Sequence, residues 1–261
     1  MIKLFQAPTL FLTLFLALGQ ASSQQVQAQA RVGVSDSSLL AGLVNIEYGA
    51  VLPAGDLADR FGFHNDLGFQ VLVKSRDNDL IGAGINFFFG SSVKEDSIMA
   101  GITNDDGFLI GTDGFLHRPI LTMRGWGVNI RYGKITPLWA TNPNSGFTWM
   151  GALGFMQHRI KFDLEEDFLP QASETALQTY DRLVNGVYFQ QYFGYTYMGS
   201  KKFINFRTGL EITEAFTGSR RDIYADLGSV PDEKRIDIQM ALKVAWILPI
   251  YENAKTQYFT Y

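Results

Sequence analysis

The sequence has no cysteine in 261 residues, few charged residues (18%) and only 3 histidines. Without cysteine there are no disulfides, no thiol nucleophile, no cysteine-based metal site and no acylated lipoprotein cysteine. No Lys/Arg cluster or basic stripe stands out and the net charge is −4, which argues against nucleic acid as a partner. Beyond the first twenty residues there is no run long and apolar enough for a spanning helix. The longest uncharged stretch, Ile135 to Gln157, is broken by Pro137, Pro143 and Asn144-Ser-Gly146. If this chain enters a bilayer it must do so as a closed barrel, because an open sheet edge leaves backbone groups unpaired in hydrocarbon.

What is present begins with Lys3, an apolar core from Leu10 to Leu18, and small residues at Gly19, Ala21 and Ala30. That is the layout of a secretory signal peptide, with cleavage expected somewhere in 19–30. Residues 1–30 are therefore assigned to the signal and a flexible mature start, and 31–261 to one domain. The remainder is rich in aromatics (14%, with 21 Phe and 11 Tyr) and has 26 glycines. This composition favours an all-β chain with tight turns and aromatic girdles.

The segment Arg235 to Leu248 has the clearest pattern. Ile236, Ile238, Met240, Leu242, Val244, Trp246 and Leu248 share one side, with Asp237, Gln239, Ala241, Lys243 and Ala245 on the other. A sustained period of two is a strand, and an apolar face backed by small and charged residues suits a wall between lipid and a wet interior. The pattern recurs to give about eight strands: near Leu40–Val51, Leu67–Ser75, Leu80–Gly90, Leu121–Tyr132, Phe147–Phe162, Asn185–Tyr197, Phe203–Phe216 and the terminal one. Phe147–Phe162 alternates too poorly for its facing to be assigned. Val44, Ile46, Trp126, Val128, Ile130, Ile238, Leu242 and Trp246 are expected to face lipid.

Connections of about 15, 4, 30, 14, 22, 5 and 18 residues make long segments alternate with short ones, as in a transmembrane up-and-down barrel with outer loops and periplasmic turns. An even strand count returns both termini to the periplasm. Pro53-Ala-Gly-Asp-Leu-Ala58, Tyr180-Asp-Arg-Leu183 leading into Asn185-Gly186, and the Gly/aromatic strands together resemble the eight-stranded outer-membrane barrel proteins of Bacteroidota, of the OmpA-type superfamily. The resemblance spans nearly the whole mature chain. It implies an outer-membrane location among lipids and lipopolysaccharide, and an accessory role in an envelope machine such as secretion or barrel assembly. Ile250 to Tyr261 is expected to be a periplasmic tail.

The inward candidates are Glu47, Lys74, Arg131, Arg207, Glu211, Asp237 and Lys243. Three carboxylates and four cations in so narrow an interior are expected to pair into a plug. The alternatives are a narrow channel or small-ligand barrel, and a lipid A-modifying enzyme. For the last, His64 and His117 are placed in loops and His158 late in a strand, where Ser91, Ser92, Asp66 or Asp163 complete a catalytic set on paper. No Gly-x-Ser-x-Gly elbow occurs, so the chain is read as non-enzymatic, with no cofactor and no metal. Asn104-Asp-Asp-Gly107 lacks the alternating ligands of a helix-loop-helix calcium site, and a loosely held calcium there stays open.

Overall fold

Alternating side chains let each strand present one face inward and one outward, and the chain closes this arrangement on itself. The computed structural model describes residues 37–95, 97–164, 173–199, 204–229 and 234–251. The signal peptide and all but the first two residues of the expected tail lie outside them. Eight strands form an antiparallel closed barrel: β1 (Ala41–Gly55), β2 (His64–Lys74), β3 (Asp79–Gly90), β6 (Ile120–Thr136), β7 (Gly146–Asp163), β8 (Val184–Met198), β9 (Asn205–Ser219) and β10 (Arg235–Tyr251). Each pairs with its sequence neighbours and β10 returns to β1. Two further strands, β4 (Leu109–Ile110) and β5 (Leu116–His117), form a small hairpin within the long β3–β6 connection.

The ladder fixes the shape. Stepping from Leu43 through Leu72, Gly82, Arg131, Ala152, Gln190, Thr213 and Gln239 returns to β1 at Pro53, ten residues beyond the start. With ~3.3 Å rise per residue and ~4.8 Å between strands, that offset on eight strands tilts them by about 40°.

Several strands outrun their expected limits. β2 starts at His64 rather than Leu67, so His64 and Asp66 are inward strand residues and not loop residues. β1 continues through Pro53, and β10 through Pro249 to Tyr251, so Ile250 and Tyr251 belong to the wall rather than to a tail. Both prolines sit where their strand has one neighbour: β1–β2 pairing stops at Val51 and β10–β9 pairing at Trp246. A missing N–H costs little on such an edge.

β7, whose facing the pattern did not assign, changes character along its length. Trp149, Leu153 and Phe155 point out in its lower half, whereas Gln157, Arg159, Lys161 and Asp163 point out in its upper half over inward Met156, Ile160 and Phe162. β6 does the same, with Arg124 outward and Met123 inward. On β7 the upper part is thus polar outside and, His158 apart, apolar inside.

Below that inversion the exterior is a largely apolar belt. On β10 the ten residue steps from Ile238 to Leu248 cover roughly 25 Å of axis at this rise and tilt, with outward Ile236 and Ile250 just beyond them. Aromatics mark both margins: Trp126 beside Phe87 and Phe155 near the loop end, and Tyr132 against Trp149, with Tyr197 stacked on Phe206, near the turn end.

Candidate functional site

The interior is stacked in three layers. At the turn end Leu43, Leu72, Leu80, Ile135, Met150, Tyr192, Met198 and Ile247 form an apolar seal. Tyr192 fits only because Gly194 and Gly209 lie beneath its hydroxyl, where a Cβ would come within 2.2 and 2.6 Å.

Above this seal lies the charged layer. Lys243 on β10 meets Asp66 at 2.5 Å, Glu211 at 3.1 Å and Glu47 at 3.3 Å. Arg207 on β9 reaches Glu47 at 3.2 Å and donates to Gln70 Oε1 at 2.9 Å, while Gln70 donates to Glu47 at 3.0 Å. Arg131 on β6 faces Glu211 at 3.5 Å and donates to Asn129 and Gln190, both at 2.8 Å. Asn86 donates to Asp66 at 2.9 Å. Three carboxylates balance three cations, all buried. Such a cluster is tolerable in a low-dielectric interior only when charges and hydrogen bonds match.

Five of the seven expected inward residues, Glu47, Arg131, Arg207, Glu211 and Lys243, thus meet in one cluster. The other two are buried elsewhere, so the expected single network of three carboxylates and four cations is corrected. Lys74 lies at the turn end in a socket of neutral oxygens, Ser38 Oγ at 3.0 Å, Leu39 O at 3.1 Å and Asn144 Oδ1 at 2.9 Å. Asp237 lies near the loop end, accepting from Thr217 at 2.6 Å and facing His158 Nε2 at 3.0 Å. The central carboxylate that sequence reasoning missed is Asp66. Its signal was available in the alternation of His64, Asp66, Gly68, Gln70 and Lys74 on one face.

The loop end is covered by an apolar cap in which Leu57, Phe61, Ile98, Met99, Leu109, Leu177 and Tyr180 pack on inward Phe88, Met123, Met156 and Ile160. Ion pairs stitch the four long connections together. Arg60 and Arg182 share Glu95 at 2.7 and 2.9 Å, Arg182 also pairs with Asp226 at 2.5 Å and stacks on Tyr224, and Arg221 binds Asp181 at 2.5 Å. Hydrogen bonding to Asp181 holds the Arg221 guanidinium above its ordinary pKa. Gly55, with a left-handed φ of 59°, turns β1 into the short helix Asp56–Arg60, and Asp56 accepts the Ile236 N–H at 2.7 Å. The two sequence motifs that carry the family resemblance are therefore clamps on the β1–β10 seam and on the cap.

Two of the three histidines share the upper interior, and the third lies apart in the loops. His64 and His158 are buried inward residues and His117 binds Asp113 in the β4–β5 hairpin. Neither Ser91 nor Ser92 hydrogen-bonds a histidine among the described residues. Asn104 caps its own turn, accepting from Phe108 N at 2.8 Å, and no group of three His, Asp or Glu able to hold a metal occurs among the described residues.

On the outside, Ile46, Trp126, Val128, Ile130, Leu242 and Trp246 are exposed, and Val44 and Ile238 lie in the same outward rows. No family model matches the chain, and no curated protein matches it significantly. Among solved structures it is similar to Neisserial surface protein A (8% identity, covering 78% of this chain and 96% of that one, TM-score 0.40). It is also similar to Ail, the attachment invasion locus protein of Yersinia pestis (10% identity, 80% and 99%, TM-score 0.38), and to the outer membrane protein OprG from Pseudomonas aeruginosa (9% identity, 83% and 99%, TM-score 0.36).

Proposed function

We propose that this chain is an outer-membrane barrel whose work is anchoring and interaction: a sealed cylinder in lipid that carries a pre-organised loop cap outward, with its turns and termini in the periplasm. The belt supports the location, since its ~25 Å height and paired aromatic margins match the hydrocarbon requirement of an outer-membrane barrel. In keeping with the Bacteroidota resemblance, the partners are lipids, lipopolysaccharide and the other subunits of a cell-envelope complex, where the chain serves as an accessory subunit.

The single observation that carries the non-transport role is the filled interior. The neutral charged layer lies between an apolar seal and an apolar cap. A conducting path needs continuous water, and each of these layers interrupts it.

Two measurements test this. The purified, folded protein in planar bilayers is expected to give no steady conductance, and open-channel steps in the wild type would overturn the sealed role. Gentle detergent extraction from native membranes is expected to bring stoichiometric envelope proteins along with the barrel. Recovery as a solitary species would sink the accessory role while leaving the barrel itself intact.

A further inference from the structure

The apolar belt carries a polar side chain at mid-height. On β8 the outward residues are Val187, Phe189, Gln191, Phe193 and Tyr195, so a primary amide occupies the centre of an otherwise apolar and aromatic row. Gln191 is flanked by Gly151 on β7 and Ile212 on β9. Glu214, the next outward residue on β9 toward the loop end, stands diagonally above it. Neither side chain makes a hydrogen bond or ion pair among the described residues. Asn65, the outward amide of β2, differs: Tyr48 donates to it at 2.6 Å. Because Gly151 lacks a side chain, a shallow groove opens on the β7 side of Gln191 and reaches across β6 to β3, lined by Ile81, Ile130, Tyr132, Leu153 and Phe189. A Cβ at Gly151 would meet only Phe189, at 3.9 Å, so the wall itself does not require glycine there.

An unpaired amide facing hydrocarbon at mid-belt is costly, and the cost is relieved when a second protein surface supplies a partner. We infer that the β7–β9 seam centred on Gln191 is the contact surface of a membrane-embedded homodimer. The inference rests on the membrane location proposed above.

The occupant is a second copy because the seam is complementary to itself. A twofold axis along the membrane normal preserves height, so it sets the two Gln191 amides opposite each other at mid-belt, each donating to the other's oxygen in two reciprocal bonds. The same rotation exchanges the two flanks of the seam. Exposed Leu210, on the β9 side, then enters the groove left by Gly151 on the β7 side of its mate. Small residues that admit close approach beside a polar pair are how membrane segments associate when no hydrophobic driving force exists between them.

The chain's lack of cysteine makes the test direct. Purified Ile212→Cys, reconstituted in bilayers and treated with a short thiol–thiol crosslinker, is expected to form covalent dimers. Val71→Cys on β2, across the barrel from β8, is expected to give no covalent dimer. In native mass spectrometry from mild detergent, Gln191→Leu is expected to weaken dimerisation about tenfold relative to the unsubstituted chain, with the folded gel shift retained. Equal crosslinking at both cysteines, or a folded barrel that stays monomeric in bilayers, overturns the dimer and leaves the membrane location standing. A chain that stays dissolved without detergent instead overturns the location itself.

Discussion

Lys243 on β10 and Asp66 on β2 are 2.5 Å apart, and β1 runs between their strands. The same ammonium also serves Glu47 and Glu211. Lys243→Met leaves three buried carboxylates facing two guanidinium groups, a loss expected to destabilise the barrel by about 3–5 kcal/mol. Urea unfolding in lipid vesicles, followed by tryptophan fluorescence, measures it. Adding Asp66→Asn is expected to recover part of the loss, because it removes one unmatched charge.

The Tyr192 packing predicts a steric effect. At Gly209 a Cβ would approach Phe193 O at 2.3 Å and Gly194 Cα at 2.5 Å, both backbone atoms that cannot swing aside. Gly209→Ala is expected to cost roughly 1–3 kcal/mol, seen as a lower temperature for loss of the unboiled-gel shift. Gly151→Ala, whose Cβ meets only Phe189 at an ordinary contact distance of 3.9 Å, is expected to leave that temperature unchanged.

Arg182 joins two carboxylates and the Tyr224 ring and ties three of the long connections together. Arg182→Ala is expected to loosen the cap without unfolding the wall. Limited proteolysis of intact cells or vesicles reads this as faster cleavage within 173–183 and 221–229, with the barrel core protected as before. Unchanged cleavage would show that the apolar packing holds the cap by itself.

The height of the belt can be probed with arginine. Leu242→Arg, outward at mid-belt, is expected to cost about 2–4 kcal/mol, whereas Gln157→Arg, outward above the inversion on β7, is expected to cost about 0–1 kcal/mol. Equal penalties in vesicle unfolding would mean that the bilayer does not stop where the polarity reverses.

Much of this architecture was readable from alternation. Ile238 to Trp246, Trp126 to Tyr132 and Phe206 to Ile212 show the period of two that a half-buried wall imposes, and that period separates Glu47 and Arg207 from Ile46 and Phe206. Alternation failed where the surroundings change along one strand. On β7 the outward rows pass from Leu153 to Arg159 and the inward rows from Thr148 to Ile160, so no single face keeps one polarity. His64 and Asp66 resembled loop residues because the start of β2 is polar on both faces, and the prolines at 53 and 249 marked strand edges rather than strand ends. Which charges meet depends on the ten-residue stagger, a property of closure that no single segment carries. Lys74 and Asp237 were grouped with the central cluster by polarity alone, and the stagger sets them at opposite ends.

The stagger also decides when each charge is answered. Glu47 and Asp66 emerge early in synthesis, while their counterions Arg207 and Lys243 come from the final hairpin. A chain cut short before β9 has Arg131 but neither Arg207 nor Lys243 to set against Glu47 and Asp66. Charge balance and closure are thus completed together: the strands that lock the last stave onto the first also bring the cations that make the interior neutral.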